Sequence, residues 1–341
     1  MTLSKSQYIR ALQCEKAIWL HKNRPELKGA REEAEPLFEI GYSVGECAKN
    51  LFAGGVEVLF DGGDFDSMLM QTKALLADKT PIIYEGAFKE KNIFAMADIL
   101  VRKQNGLYDM YEVKASTSVK DYHVKDAAVQ YYAASNVIGI DRVFIVHINS
   151  KYEKNGELDL AALFEIEEIT DEVLKGQGCI AENIRRIEGV LSAKEPDIGI
   201  GGHCYSPYEC DFAGYCWADI PKFSVFDLYR MSGEKKFELY NAGIVSFDDI
   251  PSDFLLTPIQ RLQVESLKKN EIFVDKGIIK SFIDKVEYPI NYFDFETFQN
   301  PIPRFDGQRP YMQIPFQYSL HIKHADGRLE HKEFLGDENK D

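Results

Sequence analysis

Hydrophobic and polar positions along this chain switch between two periods. From Lys5 to about Lys22, Tyr8, Leu12, Ala17, Ile18 and Leu20 recur at helical spacing behind Ser4, a helix-capping residue type, so one helix is expected there. Pro25 and the LKGAREEAEP stretch end it. A second helix is expected over 36–52, stopped by Gly54-Gly55, followed by a short VEVLF strand, a Gly-Gly turn and a helix over about 66–77. The pattern then changes to period two. PIIYEGAFKE, NIFAMADILVRK and GLYDMYEVKAS read as three strands of a meander. DYHVKDAAVQYYAASNVI returns to helical spacing, RVFIVHINS and LAALFEIEEI read as strands, and 171–192 reads as a helix. Strands around a helix that returns to the sheet make α/β the expected fold class.

A Gly- and Cys-rich segment at 199–217 follows, and the pattern is helical again from Val225 to about Asp284. That region includes ELYNAGIVSFDDIP, a helix–turn–helix-like element with Gly243 at the turn. INYFDFETF then reads as a strand, and PFQYSLHIKHADGRLEHKEFLGD as a hairpin turned at Ala325-Asp326-Gly327. Three strands in about 50 residues are too few to build a core alone. No internal repeat or low-complexity tract is evident. The expected units are therefore 1–222, 223–287 and 288–341.

Composition narrows the class. The 341 residues are 45% hydrophobic, which describes a globular protein and excludes a disordered or fibrous one. No apolar run approaches the roughly 18–20 residues of a membrane span, and MTLSKSQYIRALQCEK lacks a signal-peptide core. A cytoplasmic location without membrane partners is expected. The 55 Asp+Glu outnumber the 40 Lys+Arg, for a formal charge of −15. That balance argues against coating DNA through bulk charge and leaves room for a local basic groove.

Asp98 falls in one meander strand and Glu112-Val113-Lys114 in the next. Strand residues two apart share a face, so Glu112 and Lys114 point together and Asp98 can face them from the paired strand. Two carboxylates and a lysine on one face suit a hard divalent cation, with the lysine orienting water or offsetting phosphate charge. Glu85, in the first strand of the meander, is a further candidate ligand. A bare E-x-K would read as a solvated Glu–Lys pair; Asp98 upstream, with Gln130 and Tyr132 on the following helix, changes that reading.

This D…E-x-K…Q-x-Y order resembles the RecB-type branch of the PD-(D/E)xK nucleases, which have a restriction-endonuclease-like core. The resemblance implies Asp98, Glu112 and the Val113 carbonyl as ligands of Mg²⁺ or Mn²⁺. It implies Lys114 as the catalytic lysine, Gln130 as the motif glutamine that contacts DNA, and Tyr131 or Tyr132 as the motif tyrosine. Many relatives carry a metal-binding His in a Gly-x-x-x-His context; the matching stretch here is Gly41-Tyr-Ser-Val-Gly45, leaving either Glu46 or Glu85 to compensate or a site that holds one metal loosely. Lys103, Lys120 and Lys125 with Tyr122 would add charge and stacking.

Of the six cysteines, Cys204, Cys210 and Cys216 lie within thirteen residues. In a chain with no secretory signal such a cluster reads as metal binding before disulfide, and Cys14 is the candidate fourth thiolate. Cys47 and Cys179 read as small buried hydrophobes. Spacing leaves zinc and iron–sulfur both open. One Cys upstream of the D…E-x-K core and three downstream is similar to the four-cysteine RecB-like nucleases, the CRISPR-associated adaptation nuclease and the AddB C-terminal domain among them. That resemblance implies a [4Fe–4S] cluster on Cys14, Cys204, Cys210 and Cys216, stapling the two ends of the unit across about 190 residues.

In YFDFETF, Asp294 and Glu296 share one strand face. With the strand that follows, this resembles the first motif of DEDD-type, RNase H-like 3′–5′ exonucleases, implying two metal-binding carboxylates of an incomplete second site. The whole order is similar to an uncharacterised bacterial family that joins a RecB-like domain to a DEDD-type domain, with a middle segment similar to helix–hairpin–helix elements that contact DNA. The function expected is a metal-dependent DNA nuclease acting on single strands or ends, with protein partners in repair, CRISPR adaptation or phage defence. The alternatives are a catalytically inactive nuclease-like module that binds DNA or a partner, and a zinc-stapled RNA-processing nuclease.

Overall fold

Strand alternation sorts the apolar residues onto two faces. Ile83, Leu100 and Ile145 pack into one core, while their neighbours Tyr84, Ile99 and Val146 pack into another on the opposite side of the same sheet. The protein is described by a computed structural model covering residues 2–29, 34–60 and 64–337. The turn at 62–63, part of the break at 27–36 and the last four residues lie outside the described set.

The elements are β1 (Leu3–Ser4), α1 (Lys5–Gln13), α2 (Glu15–Asn23), α3 (Ala34–Leu51), β2 (Val56–Glu57) and α4 (Phe65–Ala77). There follow β3 (Ile82–Glu90), β4 (Ile93–Arg102), β5 (Tyr108–Lys114), α5 (Asp121–Ala134), β6 (Ile140–Ile148), α6 (Leu160–Leu163), β7 (Phe164–Glu168) and α7 (Thr170–Ser192). The rest are α8 (Ala213–Cys216), α9 (Gly233–Asn241), α10 (Pro258–Lys269), α11 (Lys276–Ile283), β8 (Ile290–Phe298), β9 (Ile314–Lys323) and β10 (Leu329–Leu335).

Strands β2 to β7 lie in chain order in a mixed sheet of seven, with β1 alongside β4. The meander β3–β4–β5 is antiparallel as the sequence pattern predicts, and α5 is the crossover that returns to β6 parallel to β5. Helices α1, α5 and α7 cover one face; α3 and α6 cover the other.

Three local expectations change. The single helix over 5–22 is broken at Cys14, whose extended backbone (φ −158°, ψ 117°) makes an elbow between α1 and α2. Ser4 caps α1 as expected, its Oγ accepting from Gln7 N while Gln7 Oε1 accepts from Ser4 N. LAALF opens as a helical turn because Asp159 Oδ1 accepts from Ala162 N at 3.1 Å, and the strand begins only at Phe164. The VEVLF strand shrinks to Val56–Glu57.

The middle region is helical and holds its own small core around Val225, Leu239, Phe247 and Val264. It contains a repetition that the sequence does not advertise. Ser224–Asp227 and Ser246–Asp249 form matching capped turns, and the two serines pair in an antiparallel bridge. The C-terminal strands form a separate antiparallel sheet, β10-β9-β8, whose hairpin uses Gly327 at φ +88°, a conformation suited to glycine. Phe293, Phe295 and Phe334 are exposed on it, in line with a sheet that lacks a core of its own. Among the described residues no helix is long and apolar enough to cross a membrane.

Candidate metal and nucleic-acid site

Register brings Glu85 and Asp98 to one level of the sheet, with Glu112 one step beyond the end of the next ladder. Tyr84 pairs with Ile99 and Gly86 with Ala97, so Glu85 stands opposite Asp98. The β4–β5 ladder stops at Ile99–Tyr111, one step short of setting Asp98 against Glu112. Where the strands part, Asp98 Oδ2 accepts the freed Val113 N–H at 2.7 Å. Glu85 takes a left-handed backbone (φ 55°), which costs a residue with a Cβ on the order of 1 kcal/mol. Glu85, Asp98 and Val113 line a cavity of about 150 Å³, closed from α3 by Gly41, Gly45, Glu46 and Lys49. Lys49 Nζ lies 2.7 Å from Glu46 and Glu57 and 3.8 Å from Glu85.

On the α5 side a denser network forms around Glu112, which is 1% exposed. Its Oε1 takes Lys114 Nζ at 2.7 Å and Lys5 Nζ at 2.9 Å, and its Oε2 accepts from Gln130 Nε2. Lys114 also bonds Asp126, and Lys5 lies 3.3 Å from the same Asp126 oxygen. Gln130 Oε1 is buried without a partner. The helix period explains the convergence: Asp126 and Gln130 are four apart on α5 and share the face turned to the sheet.

Burial and charge split these groups. Burial opposes ionisation of Glu112, but the Lys114 and Lys5 ammoniums beside it overcome that and hold its carboxyl well below the ordinary range. Asp98 goes the other way: burial, then the Glu112 charge, push it well up. Glu85 is raised by burial, against the pull of Lys49. Burial works against charge on Lys114 and Lys5, yet the facing carboxylates raise both, so both remain ammonium.

Asp98, Glu112, Val113, Lys114 and Gln130 are thus brought together, with Glu85 across the cavity. Tyr131 and Tyr132 are half-buried and pack on the hydrophobic core. Lys103 is spent elsewhere, on Asp141 and, at 3.7 Å, Asp109. Lys120 lies over the Tyr122 ring at 5.9 Å. Lys5 and Asp126 were not marked by the sequence pattern; the i, i+4 relation of Asp126 to Gln130 was the available signal. Tyr208 was missed too. Its ring meets Tyr122 edge-on at 5.4 Å, and its phenol, raised by burial, feels the Lys114 and Asp126 charges.

The elbow at Cys14 turns that residue toward the Cys-rich loop. Cys14, Cys210 and Cys216 pack around Ala17, Leu20 and Phe212, and Cys204 is buried with its carbonyl accepting from Cys210 N at 2.9 Å. Burial raises the Cys14, Cys210 and Cys216 thiols, and in each case neighbouring cysteines add to the rise. All four are free thiols. Cys47 is half-buried and Cys179 is exposed, which departs from the buried reading of Cys179. Arg10 bonds Asp211, and Gln13 Nε2 donates to His203 O at 2.7 Å, so α1 holds the loop as well as the site. Among the described residues, no three His, Cys, Asp or Glu side chains stand ready as a metal-binding group.

Asp294 and Glu296 are exposed on β8, opposite Ser319 and Gln317. A register shift follows Glu296, and the strand's aromatic residues Phe293 and Phe295 occupy the other face.

Comparison with known proteins adds little to this geometry. Residues 291–341 match a family described as a domain of unknown function, DUF2779. No curated protein matches the chain. One similar solved structure, "Crystal structure of SSO0001", is 15% identical over 64% of this chain and 87% of that one, with a TM-score of 0.31, too low to carry an argument.

Proposed function

We propose that the chain is a metal-dependent nuclease of the restriction-endonuclease-like class, hydrolysing phosphodiester bonds of DNA at single strands or ends. The observation that carries this reading is the convergence of Glu85, Asp98 and Glu112 where β4 and β5 part, with Asp98 on Val113 N and Lys114 bonded to Glu112. An all-oxygen donor set of carboxylates, one of them pushed well up by burial and then by the Glu112 charge, fits Mg²⁺ or Mn²⁺. Asp98, Glu112 and the Val113 carbonyl would hold the ion, with Glu85 as a further ligand; bound there, it supplies Lewis acidity and an acidified water.

The chain's own residues do the rest. Lys114 stays protonated between Glu112 and Asp126, so it acts as a hydrogen-bond donor that orients water or a phosphate oxygen, not as a base. Gln130 holds Glu112 through its amide nitrogen, and its buried Oε1 keeps room to accept from a bound water. Lys5 offsets the second charge of the Glu112–Asp126 pair. Tyr208 and Tyr122 offer ring surface beside Lys114 and Asp126, on the α5 side.

Cys14, Cys204, Cys210 and Cys216 would hold a [4Fe–4S] cluster that ties α1 to the loop after α7; the small apolar cluster shared by Cys14, Cys210 and Cys216, with Cys204 O accepting from Cys210 N, supports this. Asp294 and Glu296 would contribute to a second metal-dependent site.

The test incubates iron-replete protein with 5′- and 3′-labelled single- and double-stranded DNA and RNA plus Mn²⁺, beside Lys114→Ala. Cleavage of DNA by wild type and its loss in the variant are expected. Equal cleavage in both, or none in either, would overturn the catalytic reading. The second outcome would favour an inactive DNA- or partner-binding module, to which the closed Lys5–Glu112–Lys114–Asp126 network lends some support.

A further inference from the structure

The chain leaves β5 at Lys114, and what holds it just beyond comes from two places. Ser116 O accepts from Ile148 N at 2.9 Å, within the same sheet. Ala115 O accepts from the Tyr311 hydroxyl, which arrives from the connection between β8 and β9, 196 residues later.

That connection is built to deliver the tyrosine. Gly307 N donates to Lys154 O at 2.8 Å and Lys154 N donates to Gln308 O at 3.1 Å, a short two-way bond with the loop after β6. Asp306 Oδ1 takes Lys154 Nζ at 2.9 Å and Gly156 N at 3.0 Å. The buried Gln308 accepts from Arg304 N and Phe305 N, fixing the turn itself. Ile302 and Tyr311 then pack into the core that contains Ile99 and Val113, the residues flanking Asp98 and Lys114.

Tyr311 itself has a left-handed backbone (φ 59°), unusual for an aromatic residue with a Cβ. Residues held in sparsely populated backbone regions persist where the surroundings over-determine them, and they concentrate at functional sites. Here the consequence is a phenol seated on the carbonyl one residue past the candidate lysine, and burial, which opposes its ionisation, keeps it an O–H donor.

We infer that Tyr311 is a positioning residue for the candidate site, its hydroxyl on the Ala115 carbonyl fixing the strand end that carries Lys114, so that the segment matching DUF2779 helps set up the chemistry of the first unit. The inference rests on the nuclease reading given above. It acts through backbone placement alone, since Tyr311 touches neither Lys114 nor the carboxylates in the contacts described.

The test compares full-length, iron-replete wild type with Tyr311→Phe and Arg309→Ala, on labelled single-stranded DNA with Mn²⁺. Phe keeps the packing and removes only the hydroxyl. Tyr311→Phe should lower kcat about tenfold with KM within about twofold, because a misplaced catalytic group is costly when substrate binding is untouched. Amide exchange over 114–118 should quicken in the same variant. Arg309→Ala removes the exposed pair with Glu153 (2.8 Å) and should keep kcat within about twofold. A purely structural role for the ring would leave kcat and exchange at wild-type values in Tyr311→Phe, and that result overturns the inference alone. An inactive wild type overturns the nuclease reading and the inference with it.

Discussion

Lys5 Nζ lies 2.9 Å from Glu112 Oε1, across 107 residues of sequence. The contact joins the first helix to the middle of the sheet and gives a buried carboxylate its second ammonium. Replacing Lys5 by Met should therefore cost about 2–4 kcal/mol of unfolding free energy, because it strips a partner from a carboxylate with almost no water. Denaturant unfolding measures it; a change below about 0.5 kcal/mol would show that Lys114 alone suffices.

Asp98 and Glu112 should respond to pH with opposite signs. Glu112 is depressed when folded, so its contribution is present above the ordinary glutamate range and disappears only as pH falls well below it. Asp98 is raised, so its contribution is full in acid and is lost as pH rises from the ordinary aspartate range through its folded value. Asp98→Asn keeps an acceptor for Val113 N–H without the charge, and without divalent metal it should melt higher than wild type at pH 7–8. Melting curves from pH 5 to 8 check this; a lower melting temperature for the variant at pH 8 contradicts it.

His123 is buried, with Nδ1 accepting from Lys120 N at 3.2 Å, and burial together with the Lys114 charge pushes it down to about 4. A depressed histidine stabilises the fold above its ordinary value near 6.5, and that contribution is lost as pH falls toward about 4. His123→Gln should flatten the acid limb of the stability curve between those values. Superimposable slopes for the two proteins would mean that the histidine is neutral to folding.

Gly45 faces the cavity from α3, and a Cβ built there meets nothing within 4 Å. Gly45→His should raise helix stability by about 0.5 kcal/mol, since glycine inside a helix is unfavourable. On the nuclease reading it should also tighten Mn²⁺ binding severalfold by adding an imidazole donor. Calorimetric titration with Mn²⁺ decides; unaltered affinity in a well-folded variant would separate this cavity from metal binding.

Cys14→Ser should yield protein without iron and with a much lower melting temperature, as the proposed cluster ties α1 to the loop around Cys204. Exposed Cys179→Ser should keep its iron. Metal analysis after anaerobic purification measures both, and zinc with no iron in wild type would replace the cluster by a structural zinc.

Much of this arrangement was legible in the residues because it depends on local period. Alternation placed β3, β4 and β5, and the two-residue spacing of Glu112 and Lys114 fixed their shared face. What local pattern cannot carry is the long-range partner. Nothing near Lys5 announces a carboxylate 107 residues away, and nothing near Tyr311 announces Ala115. The Cys14 elbow was hidden for a related reason: the apolar stripe continues across it, while the break becomes intelligible only once the cysteine loop is in place. Lys103 shows the converse, a plausible site cation drawn off by Asp141.

The Asp98→Asn variant offers the sharpest test of the central claim, because folding and activity should part company in it. Single-turnover cleavage of 5′-labelled single-stranded DNA with Mn²⁺ should fall on the order of 10²-fold or more relative to wild type, in a protein at least as stable. Wild-type cleavage by Asp98→Asn would contradict a site organised around the Asp98 and Glu112 carboxylates.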